Sequence, residues 1–349
     1  MAGYANLDTD AQLALLTEHA AEVLKHYELG EVTEIESINH EYNSTFAVRC
    51  ADGTRYALRI NINSPRSAAN ALAELQFINH LKANTDLNFA SPIANKLGDF
   101  FTAVVNEAME KPLLSVLFSW LEGEELGDEP TEEQLFALGS AMAKMHDAAA
   151  GFELSEGAEL PNLRDVLWLT DDLLTTEVSQ LSSEDQALVK SGLDKIDGVV
   201  EGLFERDSVR LIHADMHGWN LMWHDGVLSI FDFDDCGIGL PIQDLYTALY
   251  YLDTPEQDAA LKAGYASVRP IPEHTEFEAK ALLLQRRIIL LNYLFETSTP
   301  EHREILPKYT IETMRRINEV LENSSPVFPK REEDNHHCKQ LGGEAKDPR

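Results

Sequence analysis

The chain has 349 residues, 44% of them hydrophobic, enough for one large core or two lobe-sized ones. Its 60 acids against 28 lysines and arginines leave a net charge of -32, which repels nucleic acid and anionic membrane and argues against both as partners. There is no apolar run of the roughly 18 residues that a membrane span needs, and the opening "MAGYANLDTDAQLALL" has no basic start or long apolar segment, so a secretory signal is not expected. Cys50, Cys236 and Cys338 are too scattered for a disulfide framework, so a reducing cytoplasm is the expected compartment.

In chain order, Leu13, Leu16, Ala20 and Val23/Leu24 share one face of a predicted helix over 7–27. "EIESI" (34–38), "TFAVRC" (45–50) and "TRYALRI" (54–60) read as strands, the last two joined through Asp52-Gly53, a hairpin turn signal. A helix follows from about Pro65 to Lys82, with Leu72, Leu75, Ile78 and Leu81 as a buried stripe, and two more strands lie over 100–108 and 113–120. These elements make a small α+β lobe. The acidic stretch "WLEGEELGDEP" (120–130) is a linker, after which the pattern turns helical. Thr131 and Gln134 form a capping-box signature, and helices are expected near 183–206, 244–252, 255–266, 274–297 and 310–322. The polar tail 324–349, with His336, His337 and Cys338, has no periodicity and reads as disordered.

The chemistry concentrates in "LIHADMHGWNLMWHDGVLSIFDFDDCG" (211–237). Asp225-Gly226 suits a tight hairpin turn, which pairs His224 with Val227, Trp223 with Leu228 and Leu221 with Ile230. Asn220 then faces Phe231, and Asp232 emerges beside it at the open end, because opposed residues lie about 5 Å apart. An Asn and an Asp so placed suit a hard cation such as magnesium. Asp215, in the loop before, is positioned to take a proton from a substrate hydroxyl, a layout for phosphoryl transfer. A rival reading takes His213, Asp215 and His217 as a zinc or iron site on a strand face. It leaves Asn220 and Asp232 without roles, and Gly218 favours a loop in which alternation means nothing; His213 is expected to brace that loop, and His217 to brace it or touch substrate.

"HADMHGWN" followed by "FDFDD" resembles the aminoglycoside phosphotransferase and choline kinase superfamily, relatives of the protein kinases, whose pattern is His-x-Asp-x-His-x-x-Asn, a strand, then Asp-Phe. With "YALRI", "LFSWLEGEEL" and "LLLQRRIILLNYL", the chain looks most like the homoserine-kinase-like and stress-response-kinase-like branch, over about residues 30–320. The resemblance implies an α+β, bilobal protein-kinase-like fold: a nucleotide-binding lobe over 1–119 with an antiparallel sheet and one helix, and a mostly helical catalytic lobe over 120–323 that carries the hairpin. It implies ATP and Mg2+, Asp215 as base, and Asn220 and Asp232 as metal ligands. Arg59 stands where the superfamily often has Lys, with Glu74 as its helix partner. The phosphate-covering stretch 39–46 has no glycine, so contact there is expected from Asn43 and Ser44. Asp234 replaces a common glycine and is expected to cap a turn, and Asp244 to anchor the catalytic loop from a helix N-terminus. Cys236 to Gln243 is too short a segment to dock a peptide, which favours a small hydroxyl acceptor such as an aminoglycoside, homoserine or another amino alcohol. The alternative is a stress-response-type Ser/Thr protein kinase. Asp171, Asp172 and Glu177 are candidates for an ammonium group of the acceptor, and Arg286 and Arg287 for a carboxylate.

Overall fold

Along Asn43–Cys50 buried and part-exposed residues alternate, as a strand with one packed face requires. The computed structural model describes Tyr4 and residues 7–40, 43–64, 66–297 and 300–322. The expected tail 324–349, with His336, His337 and Cys338, lies outside the described residues, as does Pro65. The chain divides into two units: residues 1–122 with 153–159, and residues 123–152 with 160–349.

The first unit holds α1 (Thr9–Leu24), β1 (Val32–His40), β2 (Asn43–Cys50), β3 (Arg55–Asn61), α2 (Ala68–Asn84), β4 (Asn88–Phe89), β5 (Thr102–Asn106) and β6 (Lys111–Ser119). Five of these strands form an antiparallel sheet in the order β1-β2-β3-β6-β5. The β2–β3 turn places Gly53 at φ 87°, while the Asp52 carboxylate accepts from the Thr54 amide at 2.9 Å. A three-residue hairpin loop places glycine in this left-handed position. Asp8 caps α1 by accepting from the Ala11 amide. The helix then packs Leu16, Ala20 and Val23 against Phe46, Val48, Leu58, Ile60 and Leu117. The short return 153–159 belongs here because Gln76 donates to the Ser155 hydroxyl and Asn70 to the Glu159 carbonyl oxygen.

The second unit holds β7 (Glu124–Glu125), α3 (Glu132–Ala149), α4 (Ser183–Arg206), β8 (Arg210–Ile212), β9 (Leu221–His224), β10 (Val227–Ile230), β11 (Gly237–Gly239), α5 (Pro241–Tyr250), α6 (Pro255–Ala266), α7 (Glu276–Glu296) and α8 (Pro300–Glu322). The α3 capping box is closed by Thr131 N–H to Gln134 Oε1 at 2.8 Å and Gln134 N–H to Thr131 Oγ1 at 3.3 Å. Helices α3 and α6 cross backbone to backbone: a Cβ on Gly139 would strike the Leu261 carbonyl, and one on Gly264 the Phe136 carbonyl. Strand β9 pairs with β10 and β7, and β11 with β8. The architecture is α+β, a sheet-based unit followed by a mostly helical one that carries the β9–β10 hairpin. Among the described residues no helix is long and apolar enough to cross a membrane.

Candidate active site

The β9–β10 register pairs Val227 with His224, Leu228 with Trp223 and Ile230 with Leu221. Asp225 at φ 48° and Gly226 at φ 80° make the doubly left-handed turn that matches strand twist. One more hydrogen bond, from the Phe231 amide to the Asn220 carbonyl oxygen at 3.2 Å, extends the ladder to the open end. Asp232 follows at φ 59°, exposed, so the chain turns away as its carboxylate leaves the ladder. Asp234 lies in the next turn, which the Cys236 amide closes on the Phe233 carbonyl oxygen at 3.0 Å.

Before the hairpin, residues 213–217 are a loop and not a strand. Ala214 takes φ 69°, a conformation costly for a residue with a Cβ. It is held by Asp244, near the start of α5, whose two carboxylate oxygens accept from the Ala214 amide at 2.8 Å and the His213 amide at 3.2 Å. Asp244 is fully buried and meets His146 Nε2 at 2.9 Å, while His146 Nδ1 meets the Tyr265 hydroxyl at 3.0 Å. Burial alone would raise the Asp244 carboxyl, but the His146 and Ala214 hydrogen bonds hold it below the usual carboxylate range. The site is therefore braced by a buried chain from α3 and α6 through α5.

His213 spends both ring nitrogens inside the loop: Nδ1 accepts from the Asp215 amide at 3.3 Å and Nε2 bonds the Phe231 carbonyl oxygen at 3.0 Å. That removes it as a metal ligand and overturns the zinc or iron reading. His217 accepts from the Trp219 amide through Nδ1 and turns Nε2 to Asp215 Oδ2 at 3.3 Å, its ring 4.7 Å from that of Tyr251. The Gly218–Asn220 3₁₀ turn needs its glycine, since a Cβ there would collide with the Gly127 carbonyl. Asn220 points its amide nitrogen back, donating to the Asp215 carbonyl oxygen at 2.9 Å and to Asp215 Oδ2 at 3.1 Å.

Asp215 thus has Oδ2 bound by Asn220 and His217, and Oδ1 bound by Arg286 of α7. Arg286 also donates through Nε to the Tyr251 hydroxyl at 3.2 Å. Burial alone would raise the Asp215 carboxyl, yet the Arg286 guanidinium and the His217 imidazole outweigh it and hold the group well below the ordinary carboxylate range. Arg286 and Tyr251 are partners that the sequence did not assign to Asp215. Nothing local signals them, since Arg286 and Asp215 lie 71 residues apart.

Of the two candidates for a carboxylate, Arg287 is corrected. Consecutive helical residues point about 100° apart, and Arg287 is buried toward α8, donating to Thr313 Oγ1 at 3.0 Å with its head 4.1 Å from the Tyr309 ring. Asp172 is likewise a local cap, accepting from the Leu174 and Thr175 amides at 2.8 and 2.9 Å.

In the first unit, Arg59 of β3 and Glu74 of α2 form a nearly buried pair at 2.6 Å. Asn43 and Ser44 do not lie in a loop. They open β2, opposite Asn61 and Ile60, and the buried Ser44 hydroxyl meets His40 Nδ1 at 2.6 Å. The side chain of Ser44 thus packs into the sheet and bonds His40.

An acidic loop braced from a following helix, ahead of a hairpin ending in Asp-Phe, with an Arg–Glu pair between strand and helix in the preceding unit, is the architecture of kinase-type phosphotransferases. The model of the phosphotransferase enzyme family matches residues 34–277, and the chain belongs to that family. It is 30% identical over 260 residues to the homoserine kinase of Neisseria meningitidis serogroup B, covering 71% of this chain and 78% of that one. It is 28% identical over 215 residues to the amicoumacin kinase of Bacillus subtilis, covering 60% of this chain and 62% of the relative's length. An amicoumacin kinase solved in complex with AMP-PNP, Ca2+ and Ami shares the fold at TM-score 0.70 and 20% identity, over 88% of this chain and 96% of that one.

Proposed function

We propose that this protein transfers the γ-phosphate of ATP to a hydroxyl of a small molecule, with Asp215 as the base, acting in the cytoplasm. The observation that carries the reading is the double clamp on Asp215: Asn220 and His217 on one oxygen and Arg286 on the other keep the carboxylate ionised and aimed. As the acceptor oxygen forms its bond to the γ-phosphorus, its proton passes to Asp215, and the bond from that phosphorus to the β-phosphate oxygen breaks, releasing ADP. A base so placed supplies about 10²–10⁴-fold in rate.

The residues present fit a magnesium ion. Asn220 gives its amide nitrogen to Asp215, which leaves the amide oxygen as the ligating end, and Asp232 brings an exposed carboxylate one position beyond the ladder. Among the described residues no group of three or more His, Cys, Asp or Glu is gathered for a metal. Magnesium asks for less, because it keeps waters and substrate phosphates in its shell. When bound, it offsets the negative charge of the nucleotide phosphates. Within the first unit, Arg59, steadied by Glu74, is proposed as a phosphate-binding cation, together with backbone amides around Asn43.

A small acceptor is favoured over a protein. Between Asp235 and α5 the chain immediately forms β11 against β8 and enters the helix at Pro241, which leaves no long segment for a peptide to dock on. The named activities of the relatives, on homoserine and amicoumacin, point the same way. Buried Cys50 and Cys236 are free thiols, which supports a reducing compartment. The test is ATP consumption across amino alcohols, hydroxy acids, sugars, aminoglycosides and choline-like compounds, with Asp215→Asn as control. Turnover on one class that vanishes in the variant supports the reading. Phosphate transfer to proteins in an extract, with no small acceptor, would overturn it.

A further inference from the structure

The loop between α3 and α4 is pinned to the helix that carries Arg286. Gln285 donates to the Val166 carbonyl oxygen at 3.2 Å, and the Asn292 side-chain oxygen accepts from the Leu173 amide at 2.9 Å. Between these tethers, Trp168 and Leu169 are both in the left-handed region, at φ 55° and 62°, with the Asp165 carboxylate accepting from the Leu167 and Leu169 amides. This arrangement brings the Trp168 ring to 5.8 Å from the Arg286 guanidinium carbon, which is also 5.3 Å from the Tyr251 ring.

One buried donor is left over, next to a guanidinium with one nitrogen still open. Trp168 is only 8% exposed, yet among the described residues its indole N–H has no hydrogen-bond partner. Arg286 is 6% exposed; its Nε and Nη2 serve Tyr251 and Asp215, but among the described residues Nη1 has no partner. A buried donor without an acceptor is costly; that describes the Trp168 indole N–H, and the Arg286 guanidinium over the same ring supplies a positive charge near it that an oxygen anion would meet. We propose that Arg286 Nη1 and Trp168 Nε1 form a carboxylate subsite, so that the acceptor is a small hydroxy acid, with or without an amine.

The proposal rests on the assignment of Asp215 as the base, because the same guanidinium bonds Asp215 through Nη2. The carboxylate and the reacting hydroxyl of the acceptor must then lie only a few bonds apart, which suits an amino-acid alcohol and not a large sugar. The arriving anion also shares a guanidinium that otherwise serves Asp215 and feels the charge of Asp235. Substrate binding thereby weakens the hold on the base as the hydroxyl arrives.

Matched acceptors that differ only in the carboxylate test this: homoserine against 3-aminopropan-1-ol, serine against ethanolamine, and glycerate against ethylene glycol. The expected result is a preference in kcat/KM of about tenfold or more for the acid in at least one pair, the worth of one charge-assisted hydrogen bond. Trp168→Phe, which keeps the ring and removes the N–H, should reduce that preference several-fold, mainly through KM, and Arg286→Gln should erase it. Calorimetric titration of each acid into the protein gives a readout that does not depend on turnover. Binding that Arg286→Gln abolishes, with no phosphorylation of any compound, would keep the subsite and sink the kinase reading. Equal use of both members of every pair, a preference untouched by both variants, or no binding of any acid would overturn the subsite.

Discussion

With Asp215 as the proposed base, the hold that its neighbours have on its carboxylate gives a measurable pH signature. Its folded-state carboxyl is depressed, so it stays ionised down to pH values below the ordinary range of about 4. The acidic limb of kcat/KM should therefore lie below that value. In Arg286→Gln the guanidinium is gone while the burial remains, so the limb should move to higher pH; a limb that stays put would show that Arg286 does not act on Asp215. In Asp215→Asn, turnover should fall by at least about 10²-fold, while magnesium-dependent ATP binding, measured by titration, persists. The roles of Asp215, Asn220 and Asp232 could be posed from the sequence because a hairpin projects a known register outward. Tyr251 and Trp168 could not, since each reaches the site through long-range packing that no local pattern encodes.

At the scale of elements, the β9–β10 hairpin was legible residue by residue. Asp225-Gly226 admits a turn with two left-handed residues, and the apolar alternation leaves one pairing. Strand β11, Gly237–Gly239, was not legible, because three residues with two glycines carry no strand pattern and are held by long-range pairing with β8 and with Asn162. Helix α8 was expected from 310 but begins at Pro300, with Pro307 inside it. A proline usually ends a helix, and here packing against the rest of the unit overrides that preference. Asp244 shows how an element carries the site, since α5 presents it to two amides of the strained loop. Asp244→Ala strands both donors and leaves His146 without its anion, for a cost of about 2–4 kcal/mol. Urea unfolding should show the midpoint falling at unchanged slope, and kcat should fall with it because Ala214 loses its restraint. Stability equal to the parent would show that the bracing is dispensable.

For the whole molecule, the division after Glu122, with 153–159 returned to the first unit, depends on hydrogen bonds such as Gln76 to Ser155 that composition cannot announce; the acidic linker over 120–130 marked only its neighbourhood. The charge of -32 acts on the entire chain and makes stability depend on pH and salt in two opposite ways. Between pH 8 and about 5, uptake of protons reduces self-repulsion, so Tm should rise at low ionic strength, opposed by His19 and His40, whose imidazoles burial pushes below the usual histidine range. Below about 4 the sign reverses. Glu278, held at about 2 by the Arg206 hydrogen bond, and Glu312, held at about 2 despite burial by Arg315 and Arg316, bind fewer protons folded than unfolded. Their contribution is complete above the unfolded value of about 4.3 and is lost as pH falls through about 2; Asp215 and Asp244, also depressed, contribute with the same sign. Salt separates the two effects, because the Debye length shrinks from about 30 Å at 0.01 M to about 3 Å at 1 M. Added NaCl should flatten the rise between pH 8 and 5, since diffuse repulsion is screened. The acid-side fall should persist, since contacts shorter than the screening length, two of them buried, are not screened. Thermal melts over pH 3–8 at both salt levels would decide it, and an acid-side fall that vanished in salt would assign that fall to net charge rather than to these pairs.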